Sequence, residues 1–209
     1  MALANKNIGY DEVVTRDIHF PMHKENVSRH WFNNDPWITH WMNAILAAVP
    51  DGERWVMNSA RRQLEKLDDP EVLKAAQEFI RQERIHAREH DEMNAIGVLH
   101  GVPIDKVERV FKFIRKHLQH RLSDDMQSSV AAAFEHFTAI ISSVLLDHPE
   151  LFDGNHPELR AMPYWHFVEE TEHKSVSFDV FTDASGGGLR SYRLRTSGML
   201  LAVALGFLS

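Results

Sequence analysis

The 209-residue chain contains no cysteine, which removes disulfides, thiolate zinc sites, iron–sulfur clusters and cysteine nucleophiles together. That absence fits a reducing compartment. A basic surplus is missing as well. With a net charge of -7 there is no excess of cations to release phosphate counterions, which argues against nucleic acid as a partner. Residues 1–24 are polar and hold no apolar stretch, so no signal peptide is read there and a cytoplasmic location is expected. No Walker loop, Gly-x-Ser-x-Gly elbow or His-Glu-x-x-His occurs, and no repeat of fixed period. Ser185-Gly-Gly-Gly188 lacks the lysine of a phosphate loop and reads as a flexible linker. Glycine is outnumbered, ten residues against fourteen histidines, and histidine is the usual nitrogen ligand of transition metals.

What is present is helical periodicity, punctuated by clear start signals. Residues 1–35 form an irregular arm with no helical stripe, carrying His19, His23 and His30 as surface or substrate-side residues. Asp35-Pro36 starts a helix that Pro50-Asp-Gly52 interrupts, and a second run begins at Glu53, which shares a stripe with Met57, Ala60, Leu64 and Leu67. Asp68-Asp-Pro70 starts a long helix expected to stop at Gly97. One of its faces carries Val72, Ala76, Phe79, Glu83, His86, His90 and Met93 or Asn94, while Arg81, Gln82, Arg84, Arg88 and Glu89 supply the solvated side. A shorter amphipathic helix follows over 104–120, with His117 and His120 on its surface. Ser123 caps the next long helix, where small residues surround a single Glu135. The last bundle helix begins near Pro157, with a kink or restart expected at Pro163, and aligns Leu159, Met162, His166, Glu170, His173, Ser177 and Val180.

The chemistry lies in the acidic and imidazole residues on those inward faces. Residues three apart on a helix share a face, so Glu83 with His86, and Glu170 with His173, can each reach one point. With Glu53 and Glu135 the order becomes Glu, Glu-x-x-His, Glu, Glu-x-x-His on four successive long helices. That is the pattern of a ferritin-like four-helix bundle with a dimetal carboxylate centre. Four carboxylates balance two divalent ions in formal charge, and oxygen with imidazole donors suits iron or manganese, so two Fe ions, or Mn or a mixed Fe/Mn pair, are the expected cofactors. The expected fold is therefore all-α. Its parts are the arm (1–35), the bundle (36–184), and a Gly-rich linker with a basic and apolar C-terminal segment (185–209). As a helix, the apolar run 198–208 spans about 16 Å, roughly half a bilayer core. With Arg190, Arg193 and Arg195 before it, membrane contact through 190–209 and packing on the bundle both remain open.

Several stretches resemble the bacterial, ferritin-like family of predicted metal-dependent hydrolases. They are Arg29-His-Trp31, Asp35-Pro36 with Thr39-His40, Pro50-Asp-Gly-Glu53, Gln82-Glu-Arg-Ile-His86 with His90, Glu135-His-Phe-Thr138, and Trp165-His-Phe-Val-Glu-Glu-Thr-Glu-His173. The resemblance covers roughly 15–185, and its members usually continue through more apolar sequence, which would make this chain a shortened form. His166-x-x-x-Glu170-x-x-His173 is also similar to the last metal-binding helix of the di-iron arylamine N-oxygenases. That similarity implies His166 as an added ligand, the alternative being a residue hydrogen-bonded to a ligating carboxylate. His90, Glu169 and Thr138 are expected beside the ligands or in a substrate pocket.

Three functions compete. The first is a di-iron oxidase or oxygenase that activates O2 to oxidise a small or lipid-like substrate. The second is a metal-dependent hydrolase using a dimetal-bound hydroxide, and the third a non-catalytic iron-binding bundle. Redox chemistry is the leading expectation, because ferritin-like cages generally perform it. A homodimer, an electron donor and the inner membrane surface are the compatible partners.

Overall fold

A computed structural model describes residues 13–23, 25 and 27–207; about half of the N-terminal stretch read for a signal peptide, residues 1–12 and 24, lies outside them, as does Leu208. Seven α-helices and no strand occur among the described residues: α1 (Pro36–Leu46), α2 (Val49–Gln63), α3 (Pro70–Leu99), α4 (Ile104–Gln119), α5 (Asp124–Leu146), α6 (Pro157–Ser185) and α7 (Gly188–Phe207). The long helices α2, α3, α5 and α6 make the bundle, with α2 packed on α3 and α5, and α6 on α3 and α5.

Local chemistry sets the boundaries. Asp35 accepts hydrogen bonds from the Trp37 and Ile38 amides, Asp69 from Glu71, and Ser123 from Met126, so each satisfies amides that a helix start leaves unpaired. His156 does the same for Glu158 at the head of α6. Pro50 does not interrupt a helix. It sits in the first turn of α2, where no amide donor is needed, so α2 begins at Val49 and Glu53 falls in its second turn. Gly97 is not the stop of α3, which continues to Leu99; the left-handed residue after the helix is Gly101, at φ 80°. α6 runs through Pro163 without ending. The triple glycine forms a turn of three successive left-handed residues, φ 72°, 68° and 72°, which non-glycine residues rarely adopt. It reverses the chain so that α7 lies along α5, burying Ala202 and bringing Gly198 against Ser129.

The apolar core has two parts. One gathers Trp55, Phe79, Val130, Val176 and Val180; the other joins Ile85, Met93, Leu159, Met162 and Trp165 to Phe20, Met22, Val27, Trp31 and Phe32 from the arm. Each fully buried side chain of this size contributes about 1.5–3 kcal/mol, so the arm is held firmly. Its course corrects the expected surface of α3. Gln82 and Glu89, read as solvated, are fully buried because the arm lies over them; Glu89 accepts the Phe20 amide at 3.0 Å. α5 is long and apolar enough to cross a membrane, as core helices also can be. Its buried face carries Gln127, Ser128, Ser129, Glu135 and Ser142, the polar lining of a bundle interior.

Candidate metal centre

Between the two core regions the bundle gathers a group of acids and imidazoles. Phe79 stacks edge-on against His173 with ring centroids 4.8 Å apart, and Trp165 against His86 at 4.9 Å. Within that apolar frame α2 supplies Glu53, α3 supplies Glu83 and His86, α5 supplies Glu135, and α6 supplies His166, Glu170 and His173. Six of the seven are buried, and the His166 side chain is 11% exposed.

The distances define two overlapping sets. His173 Nδ1 lies 2.7 Å from Glu83 Oε1, 3.5 Å from Glu135 Oε2 and 3.6 Å from Glu170 Oε1. His86 Nδ1 lies 3.6 Å from Glu170 Oε1 and 3.9 Å from Glu83 Oε1. His166 Nε2 is 2.9 Å from Glu170 Oε1 and 3.6 Å from Glu53 Oε1. Thus Glu83, His86, Glu170 and His173 offer atoms within 4.8 Å of one another, and so do Glu53, His86 and His166.

These approaches are close but not aligned as hydrogen bonds. Both carboxylate oxygens of Glu53 and of Glu83, with Glu135 Oε2, Glu170 Oε2, His86 Nδ1, His166 Nε2 and His173 Nδ1, are buried without a hydrogen-bond partner. Orphaned polar atoms are costly, at about 1–3 kcal/mol each. Their convergence, with acids and imidazoles only, is the donor set that a pair of divalent cations satisfies.

The electrostatics agree. Burial raises Glu53 well above the usual carboxylate range, helped by Glu83 and Glu170. Burial lifts Glu83 to about 7 against the pull of His173, and lifts Glu135 to about 8 with help from Glu170 and Glu83. Glu170 goes the other way: burial opposes its ionisation, yet nearby His166 and His173 hold it well below the ordinary value. Burial lowers His86 and His90, reinforced by His166. His173 is pushed down by burial but raised well above its ordinary value by Glu83, Glu135 and Glu170. Without cations, like charges this close are relieved by taking up protons.

The outward nitrogens are fixed by partners. His86 Nε2 meets Glu169 Oε2 at 2.9 Å, and Glu169 also accepts from the Trp165 indole at 3.1 Å. His173 Nε2 meets Gln82 Oε1 at 3.1 Å. His90 touches the cluster from the side, its Nε2 3.4 Å from Glu53 Oε1 and 3.3 Å from His166 Nδ1. Thr138 donates its hydroxyl to the Glu135 carbonyl of its own helix. Gln82 is the partner that sequence periodicity missed. It sits one residue before Glu83, between His173 and Glu172 of α6 and the Val14 carbonyl of the arm, and no single-helix pattern marks it.

Residues 14–209 match the family model described as predicted metal-dependent hydrolase. Neither the curated proteins nor the solved structures yielded a match to this chain.

Proposed function

Since the chain belongs to the predicted metal-dependent hydrolase family, we propose that it is a dimetal hydrolase acting on a small ester or phosphoryl compound. The observation that carries the reading is the convergence of buried, unpartnered oxygen and nitrogen atoms from four helices. Glu83, Glu135, Glu170 and His173 would hold one divalent cation, and Glu53, His86 and His166 the other, with Glu83 and Glu170 lying between the sets. When bound, such a pair makes water a strong nucleophile near neutral pH and polarises the oxygen under attack.

The chain's own residues orient side chains and hold protons around that chemistry. Glu169 and Gln82 keep the ring protons of His86 and His173 on Nε2, so that each presents Nδ1 inward. His90 is kept neutral by burial, and its Nδ1 is buried without a partner. Its Nε2 lies 3.4 Å from Glu53 Oε1 and 3.3 Å from His166 Nδ1, so the neutral ring would orient both side chains toward the cations they would hold. Phe79 and Trp165 wall the site and keep bulk water from the ligands.

A second reading is a di-iron centre that activates O2. The donor set favours it, since carboxylates and imidazoles without sulfur suit iron as well as manganese. One experiment separates the two. The protein is purified without oxygen and loaded with Mn(II), Zn(II) or Fe(II), and then assayed both for cleavage of model esters and phosphate esters and for O2 consumption by the ferrous form. Two ions per chain with Mn- or Zn-dependent hydrolysis supports the proposal. Rapid O2 uptake by the ferrous protein with no hydrolysis under any metal would overturn it in favour of redox chemistry. Glu83→Ala and Glu170→Ala should each lose stoichiometric metal binding.

A further inference from the structure

The two partners that hold the motif histidines are themselves joined. Glu169, which meets His86 Nε2, receives Arg16 Nη1 at 3.0 Å. Gln82, which meets His173 Nε2, donates its amide to Glu172 Oε2 at 3.3 Å, and Glu172 receives Arg16 Nη2 at 3.0 Å. One guanidinium therefore stands behind His86 on α3 and His173 on α6.

The arm is seated to bring it there. Val13 and Phe20 are buried on either side of Arg16. Thr15 Oγ1 donates to Glu78 Oε2 at 2.7 Å, and the Val14 carbonyl accepts from Gln82 Nε2 at 3.3 Å. Arg88 reaches the Ile18 carbonyl at 2.9 Å and Asp17 at 2.9 Å. Arg16 is the arm residue whose charge passes inward, to a Glu169 side chain only 1% exposed.

We propose that Arg16 is a positioning residue for the metal centre: its guanidinium fixes both motif histidines through two relays, which makes the arm a working part of the site. The inference rests on the metal-centre reading above. Each ligating imidazole needs its ring proton on the outer nitrogen and its plane held, and an acceptor anchored by charge supplies both. A guanidinium bonded to the buried Glu169 carboxylate holds that acceptor in place behind His86. The geometry also requires arginine. Nη1 and Nη2 diverge to two separate carboxylates, which the single ammonium of a lysine cannot match.

The test uses the full chain loaded with Co(II), reading its visible ligand-field spectrum and its affinity by competition with a chelator. Far-UV circular dichroism confirms that each variant keeps its helices. Arg16→Ala should weaken Co(II) binding about 10–100-fold, the usual cost of losing such support, and alter the spectrum. Arg16→Lys, which keeps the charge and favours folding, should lose affinity in the same direction. Thr15→Val removes a neighbouring arm contact that touches neither relay, and should bind Co(II) as the wild type does. Wild-type spectra and affinity in both Arg16 variants would overturn the proposal, and so would an equal loss in Thr15→Val. If the wild-type protein takes up no Co(II), the metal-centre reading itself falls and this inference with it, an outcome recognisable from the wild-type spectrum alone.

Discussion

Replacing Glu135 by glutamine should make the metal-free protein more stable and the metal-loaded protein less so. Glu135 is buried beside Glu83 and Glu170, with Oε2 unpartnered, so glutamine gives up no hydrogen bond at that oxygen. Its carboxyl is lifted from 4.5 to about 8. The sign follows from proton linkage: between those values the folded state holds a proton that the unfolded chain has released, so stability falls as pH rises. At about 1.4 kcal/mol per pH unit the cost is negligible near pH 4.5, about 3 kcal/mol at pH 7, and levels off near 5 kcal/mol above pH 8. Glutamine cannot ionise and escapes this cost. Urea unfolding in chelator, followed by circular dichroism from pH 5 to 8.5, should show Glu135→Gln gaining on wild type with each step in pH. At pH 7, Mn(II) at a thousand times its dissociation constant should reverse the ranking, because it adds about 4.1 kcal/mol to the protein that binds it, more than the cost of about 3 kcal/mol. A Glu135→Gln variant less stable than wild type at pH 7 without metal, or a difference that ignores pH, would refute the account of Glu135 as an acid strained by its site.

Metal uptake should release protons. Glu83 at about 7 and Glu135 at about 8 are largely protonated at pH 6 and must ionise to bind, so affinity should rise between pH 6 and 8 by up to about tenfold per unit for each proton displaced. Calorimetry in buffers of different ionisation enthalpy counts those protons, and a flat profile would contradict the assignment. Gly198→Ala should destabilise the protein by about 1–3 kcal/mol even though alanine favours helix, since the new methyl carbon would lie 2.8 Å from the Ser129 carbonyl carbon and force α7 off α5; thermal unfolding measures it. Ser123→Ala removes the cap from the Met126 amide at the head of α5 and should cost about 1 kcal/mol, again by thermal unfolding, with metal stoichiometry unchanged.

The bundle and its inward acids were legible because both follow from spacing inside one helix. Glu83 and His86 share a face whatever packs against it, and the buried run from Val72 to Asn94 matches the 3.6-residue period. Pro50 is ambiguous in the sequence because a proline marks either a break or a first turn, and only the α1–α2 junction decides which. The burial of Gln82 and Glu89 is hidden for a different reason. Periodicity assigns each helix one buried face, and α3 has a further one, covered by a segment with no period of its own. A clue to that cover lay in the arm. Phe20, Met22, Val27, Trp31 and Phe32 are too many large apolar side chains for solvent, and an irregular segment cannot bury them against itself. They had to lie on a bundle surface, and any polar residue beneath them then becomes a buried group in need of partners. Glu89 is such a group beneath Phe20, while Gln82 and Glu169, which hold the histidines at the centre of the bundle, meet Val14 and Arg16 of the same arm.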